Sequence, residues 1–247
     1  MLELHDLSRS FGGVFATDGV SMSVADGELR GVIGPNGAGK STLFSLVSGP
    51  LRPQRGRILL DGQRIDRLAP HQRARLGIAI VFQGARLFPE MTVWENVAVG
   101  AHARTRAGAA AAVLRLPRHR REESEIFRSA FANLERVGLA DWADRAADQL
   151  PLGQQRRMQV ARALTAQPRL LLLDEPASGL RAGERRELAA LIRSLHDEGI
   201  TVLLVEHDVA MVTSLAERIT VLELGRVIAE GTPDEIRRDP AVIAAYL

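Results

Sequence analysis

The chain of 247 residues contains no cysteine, one lysine and one tyrosine. Without cysteine there is no disulfide, iron–sulfur cluster or cysteine-ligated zinc, and the cytosol is the expected compartment. Hydrophobic runs are short, such as the aliphatic stretches 170–173 and 202–205, far below the roughly 18 apolar residues of a membrane span. The start, Met1-Leu2-Glu3-Leu4-His5-Asp6, has neither a basic segment nor an apolar one, so no signal peptide is expected. The 32 basic and 30 acidic residues nearly cancel, to a net charge of +2. That balance argues against a nucleic-acid binder, which would carry a concentrated basic face. What remains, 46% hydrophobic and 25% charged residues, is an ordinary globular composition with enough chain for a large core and no repeat of fixed period.

The one lysine is the informative residue. Lys40 closes the run Gly34-Pro35-Asn36-Gly37-Ala38-Gly39-Lys40-Ser41-Thr42, which matches the G-x-x-x-x-G-K-[ST] pattern at every fixed position. Every other basic residue is an arginine. A chain biased to arginine keeps a compact ammonium here, where a planar guanidinium fork is a poor substitute for a point charge among phosphates. The glycines let the backbone curl so that successive N–H groups face inward at a helix N-terminus. Lys40 is then expected to reach the β- and γ-phosphates of a nucleoside triphosphate, and the Ser41 hydroxyl to ligate Mg²⁺.

The surrounding pattern supplies strand, glycine loop and helix in that order. Strands are expected over 2–7, 20–24 and 28–33, with Asp26-Gly27 as a hairpin turn, and a helix over 41–47. Strands also follow over 57–60, before Asp61-Gly62, and over 78–82, before Gln83. From 87 to 167 the pattern is helical, with helices over 92–101, 123–137 and 154–166. An Ala- and Arg-rich insertion over 101–122 carries the basic tip 115–121, read as a solvated loop or a contact for anionic lipid heads or a partner's cytosolic loop. After Pro168 strands (170–173, 201–205) alternate with helices (183–197, 209–215), and a strand pair (219–222, 227–230) turns at Gly225. Thr232-Pro233-Asp234-Glu235 starts a helix with Thr232 as cap. Aliphatic strands without alternation imply a sheet buried on both faces and therefore parallel. The expected organisation is one domain, with an α/β core from 1–86 and 168–247 and a helical subdomain over 87–167.

The strand Leu170-Leu171-Leu172-Leu173 ends in Asp174-Glu175-Pro176, placing two carboxylates at the C-terminal edge of a parallel sheet, where ligands bind. Asp174 is expected to hold Mg²⁺ through water and Glu175 to polarise or deprotonate the attacking water. Some twenty residues earlier stands Leu150-Pro151-Leu152-Gly153-Gln154-Gln155-Arg156-Arg157 at the head of an amphipathic helix. This run resembles the signature sequence of ABC transporter ATPases, usually Leu-Ser-Gly-Gly-Gln, and the resemblance extends over essentially the whole chain. It implies a P-loop NTPase (RecA-like) α/β fold with an N-terminal antiparallel β subdomain and the inserted helical subdomain. It places Phe11 under the adenine, with a core aromatic as the lesser alternative for that residue. It matches Gln83 to the Q-loop, Ala177-Ser178-Gly179-Leu180 to the D-loop and His207 to the switch histidine.

Within that family, Phe11-Gly12-Gly13, Leu87-Phe88-Pro89-Glu90-Met91-Thr92-Val93, Gly231-Thr232-Pro233, Asp239-Pro240 and Ala245-Tyr246-Leu247 look like the ATPases of branched-chain amino acid importers. Urea and amide importers share much of this, and a lipid or lipopolysaccharide exporter is the further alternative. The resemblance implies a head-to-tail pair of ATPases in which each signature loop (Leu150, Pro151, Leu152, Gly153, Gln154) covers the nucleotide held by the other glycine loop. The second subunit is a sibling chain or another copy. Two membrane permeases are expected to dock in a groove near Gln83 and 87–92 on the cytoplasmic side, with a periplasmic or extracellular solute-binding protein reached through them. Gln83 is expected to sense Mg²⁺ and the γ-phosphate, and His207 to contact the γ-phosphate and orient the water. Two positions depart from the pattern: Pro151 lacks the signature hydroxyl, and Arg181 stands where the D-loop has aspartate, so two unequal sites are expected. A GTPase is excluded, since guanine reading by Asn-Lys-x-Asp needs a second lysine. A DNA-repair or ribosomal ATPase of this type would carry coiled-coil arms, zinc hooks or a second motif set. His5, His71, His102, His119 and His196 are read as bland, and Trp94 and Trp142 as packing residues.

Overall fold

The computed structural model describes residues 1–84, 86–104 and 117–246. Residues 105–116, most of the insertion expected over 101–122 and the first two residues of its basic tip, therefore lie outside the described residues; the rest of the tip is not irregular, because a helix begins at Pro117. Two compact units are present: one from Met1–Gln83, Arg169–Pro176 and Ala189–Leu247, the other from Gly84–Pro168 and Ala177–Leu188.

The first unit holds two sheets. Strands β1 (Leu2–Phe11), β2 (Val14–Val24), β4 (Arg55–Leu60) and β5 (Gln63–Arg64) form an antiparallel sheet in the order β2-β1-β4-β5. Strands β3 (Leu29–Ile33), β6 (Ile78–Val81), β7 (Leu170–Asp174), β8 (Thr201–Val205), β9 (Arg218–Glu223) and β10 (Arg226–Gly231) form the other, in the order β10-β9-β3-β8-β7-β6. All neighbours in this second sheet are parallel except the edge pair β9–β10. Every residue of β3 and β8 is buried, as a sheet covered on both faces requires.

The hairpin expected at Asp26-Gly27 is not there. Gly27 does turn the chain, at φ 75°, but β2 and β3 belong to different sheets. The all-buried β3 takes β8 and β9 as parallel neighbours instead. The actual hairpin joins β1 to β2 through Gly12 and Gly13, both at positive φ.

Helix α1 (Lys40–Ser48) lies in the core between these elements: Leu43, Phe44, Leu46 and Val47 share one buried cluster with Leu4, Ile58, Val32, Leu172 and Leu203. Helix α2 (Pro70–Arg75), absent from the sequence expectations, starts on Pro70 with Gln72 bonding back to the Ala69 N–H. It buries Arg73 completely, and that guanidinium donates to the carbonyls of Leu46 and Val47 at 2.6 and 2.7 Å, tying down the C-terminal end of α1.

In the second unit, α3 (Val93–Ala98), α4 (Pro117–Arg136) and α5 (Leu152–Thr165) pack together. Thr92 caps α3, its hydroxyl accepting from the Glu95 N–H. Trp94 stacks edge-on against Phe127 at 5.3 Å. Helix α6 (Ala182–Asp197) runs from this unit into the first. Helices α7 (Val209–Leu215), α8 (Pro233–Arg238) and α9 (Pro240–Tyr246) complete the chain, with Thr232 and Glu235 forming the reciprocal cap on α8. No described helix is long and apolar enough to cross a membrane.

Candidate active site

The register of the parallel sheet brings the chemistry to one edge. Val81 is level with Leu173, Asp174 with Val205, and Val205 with Val32. Gln83, Glu175, Glu206, His207 and Gly34, one or two residues past those positions, therefore all emerge at the C-terminal ends of adjacent strands.

The glycine loop runs from Gly34 to Gly39. Gly34 has no room for a side chain: a Cβ there would lie 2.1 Å from the Leu222 carbonyl oxygen. At Gly39, φ 100°, a Cβ would lie 2.0 Å from the Ala16 carbonyl oxygen. Gly39 is also the N-cap of α1 and supplies no side-chain cap, and the first turn carries no acid. Its free N–H groups and the positive end of the helix dipole are left for an external anion. Lys40 is only 6% exposed and donates to the carbonyls of Gly34 at 2.7 Å and Pro35 at 3.1 Å. Burial lowers its pKa, while Glu175, Asp174 and Glu206 act to raise it. Asn36, Gly37 and Ser41 are exposed, Pro35 and Thr42 partly so, and Ala38 is buried.

Opposite the lysine stand the carboxylates. Asp174 is pushed up to about 6, first by burial and then by repulsion from Glu175 and Glu206, with Lys40 opposing. Glu175 adopts φ 44°, a positive value unusual for a residue with a side chain, and its N–H bonds to Val205. Its Oε2 accepts from Gln83 Nε2 at 2.6 Å and lies 3.7 Å from His207 Nδ1. Lys40, Gln83, Asp174, Glu175 and His207 are thus brought into one cluster. Phe11 sits apart from the core at 48% exposure, with the Arg9 guanidinium 5.1 Å from its ring centre. It is not a core aromatic.

The signature residues form their own cluster in the second unit. Pro151 is the N-cap of α5, without a side-chain cap or an acid in the first turn. Leu150 is buried, whereas Pro151 and Leu152 are exposed. Leu152 fills a place where the usual signature has glycine, a third departure that the sequence reading passed over, and packs against Gly179 of the D-loop. Gly153 is buried, and a Cβ on it would lie 2.7 Å from Glu184 Oε1. The other Glu184 oxygen accepts the Arg181 N–H at 2.8 Å. A carboxylate therefore rests at the start of the signature helix. Gln154 is partly buried, its Oε1 without a hydrogen-bond partner among the described residues. Glu184 and Glu206 were both missed from sequence; Glu184 had only its spacing from Arg181 as a signal, and Glu206 only its place beside His207.

A glycine loop on a helix N-terminus, a buried lysine and strand-end carboxylates define a nucleoside-triphosphate-binding α/β fold. Comparison with known proteins identifies which one. A family profile described as ABC transporter matches residues 17–178, and one described as branched-chain amino acid ATP-binding cassette transporter matches 226–247. The high-affinity branched-chain amino acid transport ATP-binding protein BraF of Pseudomonas aeruginosa is 44% identical, over 100% of this chain and 97% of its own. Its counterpart LivG of Escherichia coli K12 is 42% identical over the same shares. The solved ADP conformation of MJ1267, an ATP-binding cassette of an ABC transporter, is 30% identical with a TM-score of 0.86, covering 100% of this chain and 98% of that one. The dimeric bacterial cassette MJ0796 is 27% identical with a TM-score of 0.80, covering 94% and 99%. The chain belongs to the ABC transporter family, as one of its ATP-hydrolysing subunits.

Proposed function

We propose that this chain powers uptake of branched-chain amino acids or a related small polar solute from the cytoplasmic face of the membrane. The full-length identity to BraF carries this reading, supported by the matching C-terminal segment. Lys40 and the N–H groups of Gly37, Gly39 and the first turn of α1 hold the β- and γ-phosphates, and Phe11 supports the adenine. Glu175 takes the proton of the water that attacks the γ-phosphorus, while ADP leaves on the opposite side. His207 contacts the γ-phosphate and orients that water, and Gln83, released from Glu175, reports on the phosphate.

The donor set suits Mg²⁺: Ser41, Asp174 and the Gln83 carbonyl offer hard oxygens, and the mutual repulsion that raises Asp174 is what a dication relieves. When bound, the ion would neutralise phosphate charge and polarise the γ-phosphoryl group.

Leu150, Pro151, Leu152, Gly153 and Gln154 cover the nucleotide of a second ATPase. Pro151 offers no hydroxyl, Leu152 is apolar, and Glu184 brings a negative charge to the helix start. This chain therefore completes its partner's site poorly, and the partner is a different sibling chain with its own signature loop. Two permeases dock on residues 87–92, which follow Gln83, and receive solute from a binding protein outside. Copurification from native membranes followed by ATP-driven leucine uptake in proteoliposomes tests the assignment. Leucine uptake that requires this chain supports it; an assembled, ATP-hydrolysing complex that moves no branched-chain amino acid overturns the cargo.

A further inference from the structure

Glu206 is a carboxylate that the mechanism above does not use. It directly follows β8, and it is fully buried. Burying a carboxylate is costly, and an apolar or hydroxyl residue would fill the same space at less cost. Two of its contacts reach His207. Glu206 Oε2 accepts the His207 backbone N–H at 3.2 Å and lies 3.6 Å from Nδ1 of the same ring. The same Nδ1 lies 3.7 Å from Glu175 Oε2. One ring nitrogen thus lies near two carboxylates, just beyond hydrogen-bond length from each. The two are not equivalent, since Glu206 is sealed in the core while Glu175 is the base that must be free for water. The His207 side chain is half exposed, so a ring anchored inward at Nδ1 presents Nε2 outward.

We propose that Glu206 is a positioning residue for ATP hydrolysis: it takes the Nδ1–H of His207, draws the ring away from Glu175, and sets Nε2 toward the γ-phosphate. A carboxylate only accepts, so this contact also decides that Nδ1 carries the proton. The same negative charge helps hold the Lys40 ammonium charged. The inference rests on the role given above to His207.

The test is a double-mutant cycle on the assembled transporter, with Glu206→Gln and His207→Ala made singly and together and ATPase measured over a range of ATP. Glu206→Gln is expected to lower kcat about tenfold with KM for ATP within about twofold, since it disturbs an interaction made in the hydrolytic step. In the His207→Ala background the same change is expected to cost less than about twofold, because coupled residues are not additive. Glu206→Asp, which keeps the charge but retracts it by one methylene, is run in the same cycle and keeps the test open should the glutamine variant not fold; a smaller loss that also vanishes without His207 is expected. An equal loss in both backgrounds, a loss expressed in KM alone, or no loss overturns the proposal. An inert His207→Ala removes the role of His207, and this inference with it.

Discussion

Asp174→Asn is expected to stabilise the nucleotide-free protein while disabling it. Asp174 has its pKa raised from 3.8 to about 6 by burial and by Glu175 and Glu206, after the opposing attraction of Lys40. The folded state therefore disfavours the ionised carboxylate. Above about pH 6 the fold bears this cost. The cost fades as pH falls through 6 toward 3.8, and it is absent below, where folded and unfolded chains are both protonated. Raising the carboxyl from 3.8 to about 6 is worth at most ~3 kcal/mol; solvent reaches the half-buried group, and screening reduces this to about 1 kcal/mol. For a chain of this size that is a rise in Tm of about 2–4 °C at pH 8, shrinking to nothing near pH 4. The assay is thermal melting of both proteins across pH, without nucleotide or Mg²⁺. ATPase should meanwhile fall by about 100-fold or more if the oxygen serves the metal. A variant that melts at or below the parent temperature at pH 8, or whose gain persists at pH 4, refutes the electrostatic reasoning.

Other expectations concern different parts of the site. Glu175→Gln should bind ATP normally, lose about 10²- to 10⁴-fold in turnover and accumulate the closed, ATP-bound pair on a sizing column; undiminished turnover would remove Glu175 from its role. Gly34→Ala places a methyl 2.1 Å from the Leu222 carbonyl, so it should lower Tm and weaken ATP binding together, read by melting and nucleotide titration. The isolated chain should hydrolyse ATP well below the rate of the full transporter, and Pro151→Ser with Leu152→Gly should raise it; an isolated chain that already matches the transporter would refute unequal sites.

Much of this architecture was legible because it is written locally. The glycine loop, the aliphatic strand ending in Asp174-Glu175, the Asp61-Gly62 turn and the cap at Thr232 each occupy a few consecutive residues with their own steric logic. Helix α2 escaped because its six residues are mostly exposed, and its main task, burying Arg73 under the end of α1, is a long-range contact. Asp26-Gly27 misled for a related reason: the dipeptide encodes a turn, and only the burial of β3 on both faces decides which strand comes next. Glu184 and Glu206 gain meaning from neighbours brought by folding, Gly153 for the first and Lys40 for the second. The spacing of Glu184 from Arg181 and the place of Glu206 beside His207 do not by themselves mark a site.

The account depends most on Lys40 and the loop that carries it. Titration of a fluorescent ATP analogue against the parent chain and Lys40→Ala, with melting curves to confirm folding, measures that directly. The account predicts a folded variant whose nucleotide affinity drops about 100-fold or more, in keeping with the loss of a buried charge among phosphates. A folded variant that binds the nucleotide as tightly as the parent would contradict it.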